Sequence, residues 1–268
     1  MPRLGTKELL NAQIPLPPLA EQRCIAAKLD RLCDIIAKRK AQLSQLQQLV
    51  KSRFVEMFGD PMTNPKGWPT ARLGEMCEFM TSGSRGWAKY YSADGEMFIT
   101  IKNVKGGKID LTNVQRIQPP AGAETERTRV KEGDLLISIT ADLGRTGVVA
   151  KEIADAGAYI NQHLSIIRLN RRKIDPMFAA FYIEGVEGKR QIERLNQSAV
   201  KAGLSFASLK SLQLPLPPLG EQRKFAAFVE KVDKLAAAAK RGLAAAERLY
   251  RQQLQEVFNE ARPRKAGV

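Results

Sequence analysis

The feature that most constrains this chain is an internal repeat at an offset of 200 residues: Ile14-Pro15-Leu16-Pro17-Pro18-Leu19-Ala20-Glu21-Gln22-Arg23 aligns with Leu214-Pro215-Leu216-Pro217-Pro218-Leu219-Gly220-Glu221-Gln222-Arg223. The match runs without a gap to Phe58 and Phe258, with about 16 identities over about 46 positions, so a whole structural unit is duplicated. A segment that does not repeat separates the copies.

Each copy begins with extended proline-bearing chain and then places Glu21 or Glu221 where a first helical turn would start, beside the positive end of the helix dipole. Downstream, Ile25, Leu29, Leu32, Ile36, Leu43, Leu46, Val50 and Met57 recur in steps of three and four, with Arg39 and Arg53 interrupting. The second copy carries Phe225, Val229, Val232, Ala236, Ala239, Leu243, Ala246, Tyr250 and Val257 in the same register. That is a heptad seam, and its alanines allow a partner helix to come close. Neither stretch holds a proline, so the spacing predicts two helices, each reaching about 60 Å. Ile25, Leu29, Leu32, Ile36, Leu43, Phe225, Val229, Val232 and Leu243 are the expected packing positions. The alternative is a pair of helices folded into one globular core, which such length disfavours.

The insert has another texture. Trp68 to Leu73, Phe98 to Ile101, Asp134 to Ile139, Gly147 to Ala150 and Leu164 to Leu169 read as strands between Gly- and Asp-bearing turns. A helix should begin at Asp175-Pro176 and run through Ile183, and another should span Lys189 to Leu195. The fold class expected is α+β: one globular α/β domain flanked by two long helices that form an antiparallel coiled coil.

The chain has 268 residues, with 43 Lys+Arg against 28 Asp+Glu, a formal charge of +15 and a pI near 9.9. Such a balance points to a polyanion partner, although the excess is spread over both repeat copies and the insert. No apolar run approaches a membrane span and the first residues lack a signal peptide, so a soluble, cytoplasmic protein without membrane association is expected. Cys24, Cys33 and Cys77 form no Cys-x-x-Cys pair, and His163 is the single histidine, which argues against a disulfide framework or a metal site.

Catalytic motifs are equally sparse. There is no Gly-x-Ser-x-Gly elbow, phosphate loop, dinucleotide turn or Asn-Pro-Pro-Phe/Tyr methyltransferase motif; Asn64-Pro65-Lys66-Gly67-Trp68 reads only as a loop. Asp175 with Glu187-Gly188-Lys189 resembles the spacing of a metal-dependent nuclease, but these carboxylates fall on helices and Glu-x-Lys is common in charged sequence. No catalytic residue and no metal site are assigned.

Several insert loops carry side chains suited to DNA. Ser84, Arg85, Trp87, Lys89 and Tyr90 lie in one, Lys102 and Asn103 in a second, Arg145 and Thr146 in a third, and Asn161, Gln162 and His163 in a fourth. Arginine matches guanine, asparagine and glutamine match adenine, and lysine and serine match phosphate. Each could equally be an ordinary solvated loop residue, with Trp87 and Tyr90 packing at the loop base.

The duplicated Pro-Leu-Pro-Pro-Leu-x-Glu-Gln-Arg with its long helix resembles the conserved regions of specificity subunits of type I restriction-modification systems. The insert resembles their target recognition domain through Gly67-Trp68, Arg72-Leu73-Gly74, Gly133-Asp134-Leu135-Leu136-Ile137-Ser138, Asn161-Gln162-His163 and Gly203-Leu204-Ser205. The resemblance implies a non-catalytic subunit that reads one half of a bipartite double-stranded DNA target. It implies docking of a methyltransferase subunit and a restriction/translocase subunit. S-adenosylmethionine, ATP and Mg²⁺ would serve those partners, with no cofactor in this chain.

On that basis residues 1–19 are read as the remnant of a preceding recognition domain with its proline-rich lead-in, 20–59 as the first spacer helix and 60–213 as the recognition domain. Residues 214–262 are then the second spacer helix and 263–268 a basic tail. The family pattern has two recognition domains, whereas this sequence has helix, domain, helix, and residues 4–13 align with 204–213. Two readings stay open: the C-terminal half of a split, truncated or phase-variable subunit, or a half-subunit that pairs with another half-subunit or forms a homodimer, which would read a symmetric interrupted site. The competing functions are a truncated coiled-coil scaffold or regulatory fragment that binds methyltransferase without reading DNA and, more remotely, the metal-dependent nuclease.

Overall fold

A computed structural model describes Gly5, residues 16–197 and residues 203–260. The readings placed on the other residues before Leu16, including the aligned segment 4–13, and on the basic tail lie outside the described residues. The described chain forms two compact units, one running from Lys51 to Glu230 and the other made of the helical segments up to Val50 and from Lys231.

Two long helices stand where the repeat predicts them: α1 spans Leu19–Phe58 and α7 spans Leu219–Glu260. They start in the same way. The carbonyl of Pro18 accepts from the backbone N–H of Glu21 and Gln22, and the carbonyl of Pro218 from those of Glu221 and Gln222. The Gln22 side chain donates to the carbonyl of Pro17 at 2.7 Å, and Gln222 repeats the bond to Pro217 at 2.7 Å. A donor five residues downstream thus ties the proline arm to the first turn in both copies.

Burial then separates the copies. In the second, Leu214, Pro215, Pro217, Gln222, Phe225 and Val229 are buried; in the first, Leu16 is 84% and Leu19 61% exposed, and Ile25 and Leu29 are half-buried.

In the helical unit the contacts run in opposite directions along the two helices. Cys33 meets the Tyr250 hydroxyl, and the Arg39 guanidinium lies over Gly242, where an added Cβ would stand 3.3 Å from Nε. Lys40 and Glu247 form an ion pair at 3.5 Å. The helices are therefore antiparallel. Leu32, Ile36, Leu43 and Leu46 are half-buried on one side, as are Ala236 and Leu243 on the other, while Val232, Ala239 and Ala246 are buried. The small residues and Gly242 lie on the seam opposite the larger side chains of α1.

The other unit holds the insert. Strands β1 (Thr70–Arg72) and β11 (Gln213–Pro215) pair antiparallel, so the two ends of the insert meet. A four-stranded antiparallel sheet has the order β2-β10-β7-β8, from Cys77–Ser82, Leu164–Leu169, Leu135–Ser138 and Thr146–Val148. A mixed sheet runs β6-β3-β9, from Gln115–Ile117, Tyr91–Ile99 and Ala158–Ile160, with β3 and β9 parallel. Val104–Lys105 (β4) and Lys108–Ile109 (β5) form a hairpin around Gly106 and Gly107, both at positive φ. Ile99, Val104, Leu136, Val149, Ile160, Leu164 and Ile166 fill the core between these sheets.

Short helices α2 (Ala123–Thr128) and α3 (Lys151–Asp155) flank the sheets. Next come α4 (Pro176–Glu184), α5 (Val186–Gln197) and α6 (Phe206–Ser211). The first helix predicted in the insert matches α4; the second begins earlier than read, at Val186. Phe54 and Phe58 from the end of α1, Phe178 and Phe181 from α4, and Phe225 from the start of α7 form one aromatic cluster with centroids 4.8 to 5.6 Å apart. This unit therefore extends beyond 60–213 at both ends, because burying those rings draws a turn or more of each long helix into its core.

The end of α1 is closed by the following loop. Gly59, at φ 85°, donates its N–H to Val55, while Lys66 Nζ donates to the carbonyls of Glu56 and Met57 and Trp68 Nε1 to that of Phe58. The carbonyls left without helical partners are satisfied, and Asn64 to Trp68 is a capping loop.

Candidate nucleic-acid interface

The polar loops identified in the sequence gather around the turn between β7 and β8, residues 139–145. At one end of that turn, the backbone N–H of Ile139 donates to the carbonyl of His163, and Thr140 Oγ1 lies 2.6 Å from His163 Nδ1. At the other, Arg145 pairs with Asp142 at 2.9 Å and donates from Nη1 to the carbonyl of Ile101 at 3.2 Å. One turn therefore links the 161–163 loop to the segment bearing Lys102.

The 83–85 segment is strapped to the same place. Ser84 donates its N–H to the carbonyl of Ile160 and accepts from the Gln162 N–H, and Arg85 Nε donates to Gln162 Oε1 at 2.9 Å. Gly83 has no alternative here: a Cβ would lie 2.2 Å from the carbonyl oxygen of Asn161. Asn161 turns its Oδ1 onto the backbone N–H of His163.

Arg85, Lys89 and Lys102 are exposed; Tyr90, Arg145, Asn161, Gln162 and His163 are half-buried. Lys89 Nζ lies 5.0 Å from the centroid of the Tyr90 ring, a cation–π contact. Four residues with DNA-suited side chains are instead inside the unit. Ser84 hydrogen-bonds Thr128 at 3.1 Å, and Trp87 packs against Phe98 and Tyr159 while donating to Glu124. Asn103 closes its own turn, accepting from Thr100 and donating to the carbonyl of Asp110. Thr146 is fully buried and donates from Oγ1 to the carbonyl of Ala180. Their neighbours in sequence, not they, face outward.

The spacing of residues did not single out Glu184. From the end of α4 its carboxylate accepts from the N–H of Gly106 at 2.8 Å and from the N–H of Thr146 at 2.5 Å, pinning the β4–β5 hairpin and the Arg145 segment together. Thr140 and Asp142 were missed too, since nothing local marks a threonine or aspartate as a partner of a distant histidine or arginine. Underneath, burial and a hydrogen bond to Glu96 push the Tyr159 hydroxyl up to about 12.

The carboxylates of the nuclease-like spacing have other occupations. Asp175 caps α4 by accepting from Met177 and Phe178, and Glu187 pairs with Arg190 at 2.8 Å. Among the described residues, no group of three or more His, Cys, Asp or Glu side chains is arranged to hold a metal ion. Nor is any described helix long and apolar enough to cross a membrane.

Residues 1–48 and 65–248 match the family model described as type I restriction modification DNA specificity domain. The type I restriction enzyme EcoBI specificity subunit of Escherichia coli is 24% identical over 254 residues, covering 85% of this chain and 53% of that protein. The putative type I restriction enzyme MjaX specificity subunit of Methanocaldococcus jannaschii is 27% identical over 245 residues, covering 87% and 55%. The chain thus spans about half the length of these curated relatives. A chain solved in a study of complex assembly and conformational transition of the type I R-M system superposes with a TM-score of 0.59 at 25% identity, covering 97% of this chain and 63% of that one.

Proposed function

Because the chain belongs to the type I restriction-modification DNA specificity family, we propose that its 51–230 unit reads one half of a bipartite double-stranded DNA target and that the paired helices act as the spacer carrying that reader. The observation that carries this reading is the linked set of loops on which Arg85, Lys102, Arg145, Gln162 and His163 reach the surface around a single turn, with Lys89 exposed on the segment that follows Arg85. Guanidinium and amide groups held by hydrogen bonds are suited to base edges, and the exposed lysines to phosphates.

The chain itself performs no chemistry in this proposal. Methyl transfer with S-adenosylmethionine, and ATP- and Mg²⁺-dependent restriction, fall to a methyltransferase subunit and a restriction/translocase subunit docked on it. The exposed Leu16 and Leu19 favour a second reader at the first repeat copy, since Leu216 and Leu219, their equivalents, are half-buried. That reader would come from a second copy of this chain, giving an inverted-repeat target, or be a different recognition domain, on the same polypeptide or on another, giving an asymmetric one.

The test is to map adenine methylation in cells carrying a type I methyltransferase subunit with and without this chain. A new interrupted motif that appears only with the chain supports the proposal, and its symmetry identifies the second reader. Stable association with the methyltransferase but no DNA association and no new methylation would favour the scaffold.

A further inference from the structure

Arg85, Gln162, His163 and Thr140 form one hydrogen-bonded chain across three loops, with contacts of 2.9, 3.5 and 2.6 Å. Its direction follows from the chemistry of its first member. The arginine guanidinium can only donate, so the atom of Gln162 that faces it is the carbonyl oxygen. The Gln162 amide nitrogen then faces His163, and a donor there requires His163 Nε2 to be the acceptor. A neutral imidazole that accepts at Nε2 carries its hydrogen on Nδ1, and that hydrogen meets Thr140 Oγ1. Each orientation is dictated by the preceding one, from a surface arginine inward to the 139–145 turn.

The chain determines how Arg85 is displayed. Its Nε is occupied by Gln162, and its loop is held to residues 160–162 by the backbone bonds of Ser84 and the close approach at Gly83. The two Nη groups remain as a planar, pre-oriented fork, the arrangement that matches O6 and N7 of guanine in the major groove.

We propose that Arg85 is a specificity-determining residue that reads a guanine, with Gln162, His163 and Thr140 as positioning residues that hold its guanidinium plane. This rests on the DNA-reading function proposed above and names the base and the residues that choose it.

The experiment is selection from a randomised duplex DNA library by the full chain together with a type I methyltransferase subunit. The wild-type protein should enrich a motif containing at least one strongly required guanine. Arg85→Lys keeps the charge but removes the fork and the bond to Gln162, so preference for that guanine should fall about tenfold or more, with a smaller loss of affinity for unrelated DNA. His163→Gln keeps an acceptor toward Gln162 and should retain most of the preference, whereas His163→Asn keeps only the donor toward Thr140 and should lose it. A merely structural histidine would make the two substitutions equally damaging, and that result would overturn the positioning role. A wild-type motif recovered unchanged with Arg85→Lys would overturn the proposal while leaving the DNA-reading function intact. Enrichment of no motif by the wild-type protein would overturn both.

Discussion

The rings of Phe54 and Phe225 meet edge to face with centroids 5.2 Å apart, joining the last turns of one long helix to the first turns of the other inside the 51–230 unit. Phe225 is fully buried and touches Phe58 and Phe181 as well. Phe225→Ala should therefore destabilise this unit by about 3–5 kcal/mol, through lost transfer energy and the cavity left behind. Leu235, exposed on the same helix, should tolerate alanine to within about 0.5 kcal/mol. Denaturant unfolding of the two variants measures the difference.

Asp134 is completely buried and receives two bonds from Arg168, at 2.8 and 2.7 Å, while its Oδ2 also accepts from the N–H of Lys131. Arg168 stacks over Phe79 and retains partial contact with water. Arg168→Met should cost about 3 kcal/mol because it strands a buried carboxylate, the low end for a broken buried pair since the guanidinium itself is partly solvated. Adding Asp134→Asn, which keeps the acceptor for Lys131 without the charge, should return at least about 1 kcal/mol in a double-mutant cycle.

Burial raises the Asp175 carboxyl above its ordinary range, outweighing the hydrogen bonds from Met177 and Phe178 that pull it down. With the folded pKa above the unfolded one, the native state holds this proton more tightly. The group's contribution to stability is greatest below the unfolded value and is lost as pH rises through the folded value. Asp175→Asn preserves the cap and removes the charge, so at neutral pH it should be at least as stable as wild type, with the advantage shrinking toward about pH 4. Asp175→Ala should lose about 1 kcal/mol. Thermal melts at the two pH values test both.

Lys102 is exposed beside the Arg145 anchor at Ile101. In the proposed DNA-reading function it would meet a phosphate and add affinity without choosing bases. Lys102→Ala should weaken DNA binding evenly across sequences and reduce the slope of log affinity against log salt by about 1 in magnitude. A changed base preference with an unchanged slope would assign it to base reading instead.

Much of this architecture was legible because it depends on spacing along the chain. The repeat located both long helices, and the heptads marked their apolar faces. Runs such as Leu135–Ser138 and Leu164–Leu169 stood out as strands because most of their residues are apolar, as befits strands buried on both faces. Cys77–Ser82 was not legible, since its mixed side chains show neither alternation nor an apolar run; it becomes a strand by pairing with β10, more than 80 positions away in sequence. The strands β4, β5, β6 and β9 escaped because two or three residues are too few to show a period.

The sequence by itself determined the order of helix, insert and helix, the strand-rich core of the insert and the loops that carry its polar groups. Local periodicity and turn chemistry suffice for that. Only the tertiary structure decided which side of each loop faces outward: Arg145 reaches the surface while Thr146 turns inward to Ala180, and Arg85 is displayed while Ser84 is sealed against Thr128. Those choices are made by partners 34 and 44 positions away, whose hydrogen bonds compensate the burial of each polar group. Proximity of that kind exists only after the chain has folded.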